Sequence, residues 1–235
     1  MTSTAPAPVP VTVTADRRVW RVGLRPEPWA WPSWQYSTNG RFSGRWDDRD
    51  GNFRTVYACA DLLGCLLEVL ACFRPDPSLA ADLAGIEDDD PSALPVAAAG
   101  CVPRSWLEPR SAAIARLTGT YCAVTQSATI AALRPLFIAQ AKAFGLADFD
   151  AGALKDARPR ALTQAVATHL YETTDLAGVQ FLSRHGDEQM LWAIFERPGA
   201  GEVSPWLECA TLTMTVRSPE ILEAFRLLGL TWADD

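Results

Sequence analysis

Glu68 is the first residue to question. It lies in the run DLLGCLLEVLACF (61–73), beside Leu62, Leu63, Leu66, Leu67, Val69, Leu70 and Phe73. A helix that is apolar on nearly every side is expected to be buried. A buried carboxylate must find partners or give up its charge. Its neighbours at helical spacing are Gly64, Cys65, Ala71 and Cys72. All four are small, which leaves room beside the carboxylate for a side chain or a ligand. A structural ion pair with a core arginine and a site carboxylate account for it equally well.

Arginine supplies the second signal. The chain has 21 basic residues, and all except Lys142 and Lys155 are Arg. Arg41, Arg45 and Arg49 recur at four-residue steps in segment 40–52, with Arg54 just beyond. Guanidinium groups fork onto phosphates and carboxylates. Gly40 and Gly44 allow close backbone approach to an anion. The plainer reading is a solvated loop with Asp47, Asp48 and Asp50 as counter-charges.

Ser183, His185 and Asp187 offer a third pattern, which geometry argues against as a triad. Residues two apart on a strand stand roughly 6.5–7 Å apart. A triad needs contacts of about 2.6–3.2 Å, usually from separate segments. Ser183 reads better as a hydrogen-bonding residue at a strand end.

Several chemistries lack their signatures. No dinucleotide-binding glycine motif, phosphate-binding loop, H-E-x-x-H or G-x-S-x-G elbow occurs. Cys59, Cys65, Cys72, Cys101, Cys122 and Cys209 form no C-x-x-C pair. With two histidines in all, a zinc site or disulfide scaffold is not expected. The net charge of −7 argues against phosphate-backbone binding, hence against nucleic acid. No apolar run is long enough to span a membrane, and the N-terminus lacks a secretory pattern. A cytoplasmic location is expected.

The elements that must position these residues come next. The 235 residues, 49% of them hydrophobic, suit one large domain. Residues 1–16 read as a loose arm, and 17–24 as a first strand. Segment 26–40 is an irregular aromatic loop, its rings filling the core edge. Residues 53–60 form a strand, and 61–73 a helix capped by Asp61. A short helix over 78–86 and an acidic loop over 87–92 follow. Segments 95–102, 111–117 and 121–125 are strand-like. Residues 126–146 read as helix with an interruption at Pro135, and 160–173 as a clean helix. Strands are expected over 178–182, 190–196 and 211–216. A helix over 218–230 is capped by Ser218, with Pro219 at its first position. Strands and helices mix without a βαβα rhythm, so the class is α+β.

Taken in order, three blocks resemble one family. They are GRWDDRDGNFRTVY (44–57), LLEVL (66–70), and GVQFLSRHG with LWAIFE (178–196). Together they resemble the RES domain, named for an Arg, a Glu and a Ser, which map to Arg45, Glu68 and Ser183. Arg21 matches the family's earlier arginine and Tyr57 its strand tyrosine. The likeness spans 17–200, with an enlarged middle segment at about 75–175. Asp47 and Asp48 stand where many members carry Asn-Pro.

The resemblance implies an ADP-ribosyltransferase-like α+β core: two small packed mixed sheets with flanking helices and an NAD cleft between the sheets. It implies a single domain over 17–235. The implied activity is cleavage of the nicotinamide–ribose bond of NAD, by phosphorolysis or hydrolysis, as the toxin of a toxin–antitoxin pair. The alternatives are a non-catalytic nucleotide- or partner-binding protein and a protein ADP-ribosyltransferase. Arg45, Glu68 and Ser183 would be catalytic; Arg21, Tyr57 and Gly44 would bind substrate. NAD is the substrate and phosphate a possible co-substrate, with no metal or resident cofactor. The implied partner is an Xre-type helix-turn-helix antitoxin, and a homo-oligomer stays open.

Overall fold

A computed structural model describes residues 7–75, 100–156, 158–212 and 217–233. Its first elements are β1 (Thr12–Thr14), β2 (Arg17–Leu24), β3 (Thr55–Cys59) and helix α1 (Leu62–Leu70). The middle of the chain supplies β4 (Cys101–Val102), β5 (Arg110–Leu117), β6 (Thr120–Ala123), α2 (Ser127–Ala143), α3 (Ala151–Lys155) and α4 (Arg160–Thr173). The last part adds β7 (Gly178–Leu182), β8 (Met190–Phe195), β9 (Leu207–Leu212), α5 (Pro219–Leu228) and β10 (Thr231–Trp232). The class is α+β, as expected.

Eight strands run in the order β1-β6-β7-β8-β3-β2-β5-β9, and β4 pairs with β10 in a second sheet. Pairing within the large sheet is antiparallel except between β6 and β7. One joint is weak. β2 pairs with β5 along its whole length, from Arg17↔Leu117 to Leu24↔Arg110. It meets β3 only at Trp20↔Cys59. The large sheet is therefore two smaller portions hinged at one residue pair, and beyond that pair β2 and β3 part.

Side-chain alternation divides the core. On β3 and β8, Val56, Ala58, Trp192 and Ile194 join one cluster with Trp29, Trp31 and Leu207. Cys59, Leu191, Ala193 and Phe195 face the other, larger cluster with α1, α2 and α4. Trp29 and Trp31 thus fill the core edge, as read from the aromatic loop.

Helix α1 is capped by the Asp61 carboxylate, which accepts from the Gly64 N–H at 2.7 Å. Cys65, Leu66, Leu67 and Leu70 are buried, while Leu62, Leu63, Glu68 and Val69 are half-buried. Burying each leucine is worth about 1.5–3 kcal/mol. The helix has one buried face, so Glu68 sits at its border and not in the deep core.

Three expectations change. Thr12–Thr14, assigned to a loose arm, pair with Cys122–Thr120 at the sheet edge, where β6 still has open hydrogen-bonding groups. Helix α2 continues through Pro135, because Leu133, Phe137 and Ala141 on one face are buried in the core. β9 starts at Leu207, earlier than the expected 211–216. The expected helix over 78–86, the acidic loop over 87–92 and residues 213–216 lie outside the described residues.

Candidate active site

The cleft opens where β2 and β3 separate. It encloses about 420 Å³, and its walls include Arg21, Gly44, Arg45, Tyr57, Glu68 and Phe181. Arg160, Arg184 and His185 close its polar rim, and Val22, Val69, Ala71, Cys72 and Leu191 complete it. Five of the six expected site residues, Glu68 among them, therefore share one space; the sixth, Ser183, stands behind Glu68.

Strand separation leaves a backbone carbonyl without a ladder partner, and a buried carbonyl needs one. Arg21 fills that need. Its Nη1 donates to the Tyr57 carbonyl at 2.9 Å, and its Nε to the Pro28 carbonyl at 2.6 Å. Burial lowers the guanidinium pKa, opposed by Cys65, Tyr57 and Asp47. Arg21 thus braces the open joint as well as lining the cleft.

Glu68 is held from behind. The Ser183 hydroxyl donates to its Oε1 at 2.5 Å and accepts from the His185 N–H at 2.9 Å. Ser183 is buried and does not reach the cleft wall, so its contact is with the carboxylate. Among the described residues Glu68 has no ion pair within 4 Å. The core-arginine reading therefore falls away. Of the small neighbours, Ala71 and Cys72 line the cleft beside Glu68. Gly64 does a different job: a Cβ there would come within 2.3 Å of the Cys59 sulfur, so it lets α1 pack on β3.

The Arg45 loop is built from carboxylates that the sequence presented as counter-ions. Asp47 and Asp48 are buried, at 6% and 2% exposure. Asp47 accepts from the Gly44 N–H at 2.5 Å and from the Tyr57 hydroxyl at 2.8 Å. The Tyr57 oxygen in turn accepts from the Trp46 N–H at 2.9 Å. Gly44 is needed because a Cβ would stand 2.5 Å from both Asp47 and the Tyr57 hydroxyl. The anion that Gly44 admits is thus the protein's own, and the Tyr57 ring rather than its hydroxyl is left to face the cleft. Burial raises the Asp47 pKa, opposed by the hydrogen bonds from Tyr57 and Gly44. Burial and the adjacent Asp47 push the Tyr57 phenol well above its ordinary value.

Helix α4 fastens the same loop. Asp48 accepts from the Thr168 hydroxyl at 2.6 Å and also from the Asn52 N–H. Gln164 donates to the Gly44 carbonyl at 3.0 Å, and Arg160 donates to the Ser43 carbonyl. Arg160, Gln164 and Thr168 recur every four residues on one helix face. That polar stripe was visible in the sequence, although its partner was not.

Arg45 is half-buried. Burial lowers its pKa, Glu68 opposes the shift, and Arg184 adds to it. The other loop arginines stay outside the cleft. Arg54 forks onto Glu196 at 2.6 and 2.5 Å, a structural pair, and the side chains of Arg41 and Arg49 are exposed. The rejected triad is indeed absent, since Asp187 pairs with Lys155 at 2.5 Å.

Sequence reasoning passed over Arg184 and did not give His185 a place in the cleft. Burial lowers the His185 pKa; Glu68 opposes this, while Arg184, Arg45 and Arg74 deepen it. Among the described residues no helix is long and apolar enough to cross a membrane, and no group of three His, Cys, Asp or Glu gathers to hold a metal.

The chain is similar to a chain in the crystal structure of the M.tuberculosis MbcT-MbcA toxin-antitoxin complex, with a TM-score of 0.43 and 15% identity over 92% of this chain and 91% of that one. No curated protein matches the chain. The RES domain profile matches residues 18–215, a span that holds the braced joint, the latched arginine loop and the serine-held glutamate. The chain belongs to the RES domain family.

Proposed function

We propose that the chain cleaves the nicotinamide–ribose bond of NAD and acts as the toxin of a toxin–antitoxin pair. One observation carries the reading: Glu68, gripped by Ser183, stands in the same cleft as Arg45. Breaking the N-glycosidic bond sends its electron pair to the leaving nicotinamide, which departs neutral. No strong acid is needed. The ribose carbon becomes oxocarbenium-like and calls for negative charge close by.

In this reading Glu68 supplies that charge. The Ser183 hydroxyl fixes the carboxylate from behind and leaves its other oxygen for the ribose. Arg45 holds the diphosphate through its planar fork. The Tyr57 ring forms part of the wall, its hydroxyl already committed to the loop. The acceptor is phosphate or water, and the setting is the cytoplasm, where NAD is available. Family membership supports the toxin role, with an Xre-type helix-turn-helix protein as the antitoxin.

The decisive measurement incubates purified protein with NAD, with and without inorganic phosphate, and follows free nicotinamide. Release is expected, together with loss of NAD and arrested growth when the chain is expressed without a partner. Level NAD in both settings with folded protein present would overturn the reading.

A further inference from the structure

A second basin of about 450 Å³ adjoins the cleft, and Arg184 and His185 line both spaces. Its other walls are Arg74, Lys155, Asp156, Asp187 and Gly152. Apart from the glycine, every wall residue is charged or carries an imidazole. A base or nicotinamide ring would find no apolar face here, whereas a small charged group would.

The sign of that group follows from the pairing. Lys155 and Asp187 satisfy each other at 2.5 Å. Arg74 and Arg184 have no carboxylate within ion-pair distance among the described residues. Arg45 and Arg160 stand on the cleft side of the same border and make no ion pair among the described residues either. Asp156 and Asp187 are the two carboxylates on this wall, and Lys155 takes up Asp187. In a chain of net charge −7, such a gathering of guanidinium groups favours an anion. The Arg184 Nε donates to the His185 Nε2 at 3.3 Å. Burial, with Arg184, Arg45 and Arg74, lowers the His185 pKa, so the imidazole is not counted among the cations of this border.

We propose that this basin is a phosphoryl-binding subsite, with Arg74 and Arg184 holding the anion and His185 forming its border with the Glu68 cleft. Only the source of the phosphoryl group rests on the NAD reading: free inorganic phosphate, as acceptor, or a phosphoryl group of the nucleotide itself.

The test uses the whole chain and inorganic phosphate at constant ionic strength. The chain has two histidines, so the His185 imidazole resonances are readily told from those of His169. Phosphate should shift the His185 signals saturably and bind measurably by calorimetry. In Arg74→Gln/Arg184→Gln, binding should weaken by about tenfold to a hundredfold, the usual effect of losing charge-assisted hydrogen bonds. Arg49→Gln, remote from the basin, should bind as wild type does. In nicotinamide release, a raised phosphate KM with unchanged NAD KM would assign the site to free phosphate. A raised NAD KM alone would assign it to the nucleotide. Phosphate binding that fails in the double variant, in a protein that never cleaves NAD, would support the basin and sink the NAD reading. Equal phosphate binding in wild type and double variant, or no shift at His185, would overturn the basin.

Discussion

The two walls of the cleft are built in opposite ways. Glu68 stands on a helix whose start is set by Asp61 three residues before Gly64 and whose packing face is set by apolar spacing. One long-range contact, from Ser183, finishes the job. Arg45 stands on a loop without regular structure, and its place depends on a web of side chains: Asp47, Tyr57, Asp48, Thr168 and Gln164. A helix-borne group inherits its position from the backbone ladder. A loop-borne group must be latched residue by residue, so the two walls should fail differently when altered.

The largest effect is expected at Glu68. Glu68→Gln keeps the volume and an oxygen that accepts from Ser183, but removes the charge. Nicotinamide release should fall by about 10²-fold or more, equivalent to roughly 3 kcal/mol of transition-state stabilisation. The melting temperature should stay near wild type, because no ion pair is broken. A variant that melts far lower and still cleaves NAD at the normal rate would make Glu68 structural and erase the contrast between the walls.

Asp47 tests the opposite pattern, with stability affected first. Asp47→Ala strands the Gly44 N–H and the Tyr57 hydroxyl, at a cost of about 1–3 kcal/mol for each buried group left unsatisfied. Chemical denaturation should show the loss, and activity should fall with the displaced Arg45. Asp47→Asn can still accept one of the two bonds, so it should lie between alanine and wild type. The pH dependence sharpens this. Burial raises the Asp47 pKa in the folded chain above its ordinary value of 3.8. Between those two values the folded state keeps a proton that the unfolded chain has released. Stability contributed by this group therefore falls as pH rises through the window. Subtracting the Asp47→Asn curve from wild type should expose that slope; a flat difference would show a carboxylate with no burial penalty.

The smallest of the three concerns the shape of the cation on the loop. Arg45→Lys keeps the charge and loses the fork, so a bidentate phosphate grip should weaken by about tenfold. Activity equal to wild type would reduce Arg45 to a point charge. Arg49→Gln is the control. The loop uses its backbone N–H, which donates to Thr168 at 3.2 Å. Its side chain is exposed, and a change within about 0.5 kcal/mol is expected.

These contrasts also mark what was legible beforehand. Helix α1 with its cap, helix α4 over 160–173 and the first strand over 17–24 all follow from local periodicity, and each appears at its expected place. The carboxylate in α1 drew attention because a charge inside an apolar helix is costly wherever the helix goes. The site's family residues were legible as a set through their order along the chain. Their duties were not. Ser183 suited a ligand contact as well as a structural one until β7 brought it against α1, 115 residues away in sequence.

Composition and spacing determined the α+β class, the capped Glu68 helix and the presence of an arginine-rich loop, because these depend on residues within a few turns of one another. Tertiary structure alone decided that β2 and β3 part after one residue pair, which opens the cleft. It also turned Asp47 and Asp48 from apparent counter-charges into buried latches, 120 residues from the helix that meets Asp48. Burial of a polar side chain depends on which distant element covers it, and that choice is made by sheet register and helix docking, to which local spacing is blind.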